Sequence, residues 1–214
     1  MLTVLLGSFA LYSCGGSENT TSHNDETSEK ENITSLADLP VGRRLELAKR
    51  YNEIDAVYEG FARVKLNGKW GFIDNSGELV IPCMYDDVRV FSKCLAFVKL
   101  NGKWGFIDKT GKEVIPCVYD DIYGFSDGLA SVKLNGKWGF IDKVGKLVIP
   151  CVYDGVRSFL NGLSRVMMNG KYGVLDKTGR HVISCVYDEL DDNFSKELLR
   201  AKLNGKWGVV DKAG

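Results

Sequence analysis

The chain has 214 residues, 44% of them hydrophobic, which is enough material for one or two ordinary domains with a buried core. Its 28 basic and 28 acidic side chains cancel, so the overall charge asks for neither nucleic acid nor an anionic membrane surface as partner. The 24 glycines recur at fixed intervals, which excludes a low-complexity disordered chain and points to turns.

In chain order, the first element is a short apolar run, Leu2 to Ala10, too brief to span a bilayer as a helix and suited to the core of a signal peptide. Leu11, Tyr12, Ser13 and Cys14 come next. A leucine three positions before a cysteine, with a small residue directly before it, resembles the lipobox of bacterial lipoproteins. The resemblance implies that residues 1–14 are a lipoprotein signal peptide and that Cys14 is lipidated and becomes the first mature residue. Tyr12 is bulky for its place, and no Lys or Arg precedes the apolar run. Residues 15–34 are polar and carry five acidic side chains (Glu18, Asp25, Glu26, Glu29 and Glu31), with too little apolar surface to offset the entropy of ordering. They read as a solvated, disordered acidic tether. His23 lies within it without a companion ligand.

Residues 35–50 change period. Pro40 suits a first helical turn, and Val41, Leu45 and Ala48 fall on one side of a helix that would cap the first repeat unit. From Tyr51 onward the chain repeats itself. Tyr51, Tyr85, Tyr119, Tyr153 and Tyr187 are 34 residues apart each time, and the Asn-Gly-Lys turns keep the same step until the last, which is 35. Within one unit, Leu129 to Leu134 and Lys137 to Asp142 have strand character and are joined by Asn135-Gly136, the pair best suited to a type I′ hairpin. That turn sets the register: Leu134 opposes Lys137, Lys133 opposes Trp138, Val132 opposes Gly139 and Ser131 opposes Phe140. Gly139 then leaves a gap across from Val132 that a ring from a neighbouring strand or unit would cover. Asp142 to Gly145 forms a second turn and Leu147 to Ile149 a third strand, with Pro150 removing one ladder donor. Phe91, Phe125 and Phe159 occupy one place in the link after the third strand.

The words "KLNGKWGFIDKTGKEVIPCVYDDIYGFSDGLA" are similar to the WG-repeat family of bacterial repeat arrays, over residues 51–214. Together with the turn spacing this leads to an all-β fold: a tandem array of short three-stranded antiparallel meanders, open and twisted rather than closed into a propeller, because 34 residues is short for a four-stranded blade. About five units are expected, the fifth incomplete at Gly214. The resemblance implies no shared activity.

Four columns of residues are candidates for function. The aromatics Trp70, Trp104, Trp138, Tyr172 and Trp207 could stack on sugar rings, but large rings at one position of every repeat serve a core better. Lys69, Lys103, Lys137, Lys171 and Lys206 precede Asp74, Asp108, Asp142, Asp176 and Asp211 by five residues; the pattern could dock a charged partner, but a solvated hairpin edge that discourages strand addition accounts for it better. Cys83, Cys117, Cys151 and Cys185 share a position, while Cys94 replaces a turn glycine. Units one strand apart would let the column pair or hold a metal, whereas meanders separate the thiols by roughly 14 Å. No C-x2-C spacing, nucleophile elbow or phosphate-binding loop occurs, so no metal, cofactor or catalytic residue is expected. His181 falls at the position of Glu113 and Leu147, half exposed on a third strand. The expectation is a non-catalytic lipoprotein of the bacterial envelope, anchored to the outer membrane or cell surface through Cys14. It would present a β-repeat surface to a protein or envelope polymer, with a glycan-binding protein or a structural spacer as alternatives.

Overall fold

A computed structural model describes residues 35–193 and 198–211. The signal peptide, Cys14 and the acidic tether lie outside the described residues. The described part belongs to one unit, residues 33–214.

The array consists of five sheets whose strands pair only with their sequence neighbours, in antiparallel meanders with open edges. The first sheet contains β1 (Glu53–Tyr58), β2 (Phe61–Leu66), β3 (Lys69–Asp74) and β4 (Leu79–Tyr85). The next three repeat this order over residues 87–119, 121–153 and 155–187, and three strands of a fifth occupy 189–211. Each full sheet therefore holds one strand more than the three expected. The extra strand comes from the link after the Tyr-Asp pair, where Asp87 and Val88 bond to Lys99 and Val98. At two residues in most sheets it is too short to show a period in the sequence.

Both hairpin turns use left-handed backbone. Asn135 and Gly136 have φ of 51° and 80°, the sign pair of a type I′ turn, and the resulting register is the expected one, extended to Ala130 opposite Ile141. The other hairpin turns on Glu59-Gly60, Lys93-Cys94, Asp127-Gly128 and Asn161-Gly162, so that Cys94 takes φ of 67° where its counterparts are glycine.

Consecutive sheets pack face to face. Phe72, Ile81 and Tyr85 of the first sheet meet Val88, Phe91, Ala96, Val98 and Ile107 of the second, and each later interface repeats this set with Phe106, Phe140 or Val174 in the place of Phe72. Every inner sheet is thus covered on both faces. The first sheet's other face (Ala62, Val64, Ile73) is covered by Leu39, Leu47 and Tyr51.

Leu47 lies on the helix α1 (Val41–Arg50), which comes after a 3-10 turn at Leu36–Asp38. The helix turns a different face inward than the periodicity indicated: Val41, Leu45 and Ala48 are exposed, and Leu47 is buried with Arg43 half-buried beside it. The reason is the repeat frame. Leu47 stands 34 residues before Ile81 and does its job, pressing on the turn glycine Gly77 as Ile81 presses on Gly111 and Ile115 on Gly145. Arg43 secures the contact by donating to the Ser76 and Gly77 carbonyls and the Glu78 carboxylate. The helix replaces a third strand and closes an edge of the array. No described helix is long and apolar enough to cross a membrane.

Candidate functional site

The Trp-Gly pair is placed by what crosses it. After β3 and its counterparts the chain returns through a bulge, in which the pairing jumps from Trp138–Tyr153 to Phe140–Ile149, four residues against two. The bulged Ile149-Pro150-Cys151 backbone lies directly on Gly139: a Cβ there would sit 2.5 Å from the Ile149 carbonyl oxygen and 2.8 Å from the Cys151 sulfur. Gly71, Gly105 and Gly173 are crowded in the same way, while nothing lies within 4 Å of Gly208 in the three-stranded fifth sheet. The space across from Val132 is therefore filled by a strand and a thiol, not by the ring expected. Cys83, Cys117 and Cys151 reach over the glycine toward the carbonyls of Val64, Val98 and Val132, at 3.8 to 3.9 Å.

This fixes the chemistry of the cysteine column. All four thiols are free and half-buried, and burial raises their pKa, with Cys117 pushed up to about 11, so they are protonated and unreactive at neutral pH. Stacked sheets lie about 10 Å apart, closer than the edge-on spacing the sequence indicated but still too far for a disulfide. Among the described residues no group of His, Cys, Asp or Glu could hold a metal ion. His181 lies 3.9 Å from Cys185 through Nδ1 and 3.4 Å from the Tyr153 hydroxyl through Nε2, an exposed packing contact beside a protonated thiol.

The aromatic column divides. Trp104 and Trp138 are 7% and 8% exposed, Trp70 and Tyr172 are half-buried, and Trp207 is 52% exposed. Cations cover the rings: Arg63 and Lys65 on Trp70, Arg89 and Lys99 on Trp104, Lys133 on Trp138, and Arg200 on Trp207 at 4.6 Å. Tyr123 stacks flat on Trp138 at 4.9 Å. Between the fourth and fifth sheets the column opens into a groove of about 340 Å³, lined by Arg165, Tyr172, Glu189, Asp191, Arg200 and Trp207.

The charged columns pair differently from their spacing in sequence. Lys69, Lys103, Lys137 and Lys171 bind Asp86, Asp120, Asp154 and Asp188, 17 residues on, instead of the aspartates five residues on. Asp86 and Asp120 also accept the Gly102 and Gly136 amides of the next sheet, and Asp154 and Asp188 accept those of Asn169 and Gly205. Each aspartate is a clamp between consecutive sheets, and hydrogen bonding to its lysine holds its pKa below the usual value. The other aspartates organise turns: Asp108 accepts from the Thr110 amide and hydroxyl and the Lys112 amide.

One further row was invisible in the sequence as a surface. Met84, Val118, Val152 and Val186 are each 46% exposed at one position of four edge strands, two residues after exposed Pro82, Pro116, Pro150 and Ser184.

A model of the WG containing repeat matches five successive stretches of the chain: residues 46–70, 70–104, 104–138, 138–172 and 172–207. The chain belongs to the WG-repeat family. The last four WG matches run from one aromatic of the column to the next, so the family's unit spans an interface between sheets as well as a sheet. No curated protein matches this WG-repeat chain. Its fold is similar to several solved structures at low identity. These include Hsv2p of Kluyveromyces lactis (11% identity, TM-score 0.41, 76% of this chain and 62% of that one) and a eukaryotic initiation factor (10%, 0.45, 77% and 55%). A third is PorZ, described as a bacterial surface component of the type-IX secretion system of Porphyromonas gingivalis (8%, 0.36, 77% and 25%). The WG-repeat chain spans less than two thirds of each.

Proposed function

We propose that this WG-repeat protein is a non-catalytic envelope lipoprotein that presents one surface motif in register along its array to a protein or an envelope polymer. The row Met84, Val118, Val152 and Val186 carries this reading. Exposed apolar side chains scattered singly need no explanation, but four at one position of successive edge strands with equal exposure form a row that steps from one sheet to the next. The prolines beside three of them remove amide donors from the edge, which discourages strand addition and leaves side-chain contact as the mode of binding. Affinity spread over four equivalent weak contacts is gained by multivalency.

The column thiols, protonated and half-buried, are poor nucleophiles, which favours binding over catalysis. Anchoring through Cys14 rests on the lipobox resemblance, and the polar stretch after it would hold the array away from the membrane. The alternative, glycan binding through exposed aromatics, is favoured at one place, the groove beside Trp207, since the central tryptophans are covered.

The test uses the full chain with valine or methionine changed to serine at one, two, three and four positions of the row, applied to detergent-solubilised bacterial envelope and to isolated peptidoglycan. Retention should fall stepwise with each substitution. Retention unaffected by the fourfold variant but lost in Trp207→Ala would transfer the function to the groove and its sugar ligand. Fractionation of Cys14→Ser checks the anchor: release from the membrane pool is expected, and an unchanged pool would end the lipoprotein reading.

A further inference from the structure

Two polar contacts recur at the interfaces between sheets, an acid that accepts a turn amide of the next sheet and an arginine that donates to a carbonyl of its first strand, and the interface between the second and third sheets has neither residue. Between the first and second sheets, Glu59 accepts the Lys93 and Cys94 amides and pairs with Lys109, and Arg63 donates to the Val88 carbonyl. Phe91 is buried there against Phe61 and Phe72, with centroids 4.8 and 4.9 Å away. Between the third and fourth sheets, Asp127 takes the place of Glu59 and accepts the Gly162 amide, and Phe159 is buried against Phe140.

Between the second and third sheets the corresponding residues are Lys93 for the acid, Phe97 for Arg63 and Gly124 for a residue with a side chain. Lys93 offers no carboxylate to the turn at Asp127-Gly128, and Phe97 cannot reach across as arginine does. Phe125, the counterpart of Phe91 and Phe159, is left half-buried. What results is a cavity of about 150 Å³ walled by Leu95, Phe97, Phe106 and Phe125, with Lys93 and Lys143 at its polar side. Phe97 and Phe125 both pack on Phe106, at 4.6 and 5.2 Å, so the slot has aromatic walls held by their own contacts. Glu59 is engaged by two amides and Lys109, and Asp127 by the Gly162 amide. Among the described residues neither Lys93 nor Lys143 forms a salt bridge.

We infer that this cleft is a binding site for a small carboxylate carrying a single aromatic ring. A cavity of about 150 Å³ lined by Leu, Ile and Phe is the size that accepts benzene, and two ammonium groups supply the counter-charge for one carboxylate at its rim. An apolar slot with a few convergent polar groups is also the general form of a small-molecule site. The ring would enter between Phe97 and Phe125, through the opening that Gly124 leaves.

Phenylacetate titrated into the full chain, monitored by calorimetry and by ring proton shifts of the phenylalanines, reads this directly. Saturable binding with Kd on the order of 1 mM or tighter is expected for a ligand of this size. Phenylacetamide, which keeps the ring and loses the charge, should bind at least about tenfold more weakly, the scale of a charge-assisted hydrogen bond. Lys93→Glu restores the acid found at the neighbouring interfaces; it should keep the melting temperature or raise it while abolishing phenylacetate binding. Gly124→Leu should block the opening with the same loss, and Lys177→Glu, the equivalent of Lys143 one unit on, should change nothing. No saturation by phenylacetate, or equal affinity in Lys93→Glu with its fold intact, would overturn the assignment.

Discussion

The third and fifth sheets contain the same Trp-Gly pair in two environments. Trp138 is 8% exposed and Gly139 lies under the backbone of the next strand; Trp207 is 52% exposed, and among the described residues nothing lies within 4 Å of a Cβ placed on Gly208. The local sequence is the same, Asn-Gly-Lys-Trp-Gly, and so is the turn. Neither the hairpin nor its register therefore demands the glycine or buries the ring. Both requirements come from what packs next: a bulged third strand for the glycine, and the next sheet for the tryptophan.

That contrast can be broken most forcefully at the ring. Trp138→Ala should destabilise the array by about 3–5 kcal/mol, and Trp207→Ala by less than about 1 kcal/mol, in matched urea titrations. Similar losses at both sites would show that the ring serves the hairpin itself. The glycine provides a sharper version: Gly139→Ala should cost about 1–3 kcal/mol or more, because the new methyl meets backbone that cannot step aside, while Gly208→Ala should stay within about 0.5 kcal/mol. Smaller again, Cys117→Ala should cost about 1–2 kcal/mol in the same titrations, through the space it empties above Gly105.

The smallest effect concerns the clamps. Hydrogen bonding to Lys103 lowers the folded pKa of Asp120, so its contribution is complete above the ordinary aspartate value near about pH 4 and is lost as pH falls through the lower folded value. Asp120→Asn should flatten acid unfolding in that window. Lys206→Met should leave it unchanged, since among the described residues no aspartate clamps Lys206. High salt should mute the difference, as expected for exposed pairs.

How much of this was legible in the sequence depended on the distance over which each choice is enforced. The Asn135-Gly136 turn and the pairing of Val132 with Gly139 could be read because two residues and a period of two decide them. The inward face of α1 could not be read from its period, because Val41, Leu45 and Ala48 satisfy a helical period without having a sheet to meet, whereas Leu47 is set by its 34-residue distance from Ile81. Lys137 was matched with Asp142 by proximity in sequence, whereas the structure gives it Asp154 across the interval that a bulge and a new sheet create. The cleft at Lys93 left a mark that could have been found: set in the repeat frame, a lysine stands in the column of Glu59 and Asp127, and an extra phenylalanine stands at position 97.

The aspartate clamps have a mechanical consequence. Asp120 holds the hairpin lysine of the second sheet and the hairpin turn of the third at once, so neither loop can lift without releasing the other. Among the described residues four such rivets run along the array at one position. Tension applied between the ends would load them in series, one interface after another, as in a chain of links. Each is a short-range ionic contact that re-forms when the load is removed, so the array should yield under pulling in steps of one repeat and recover.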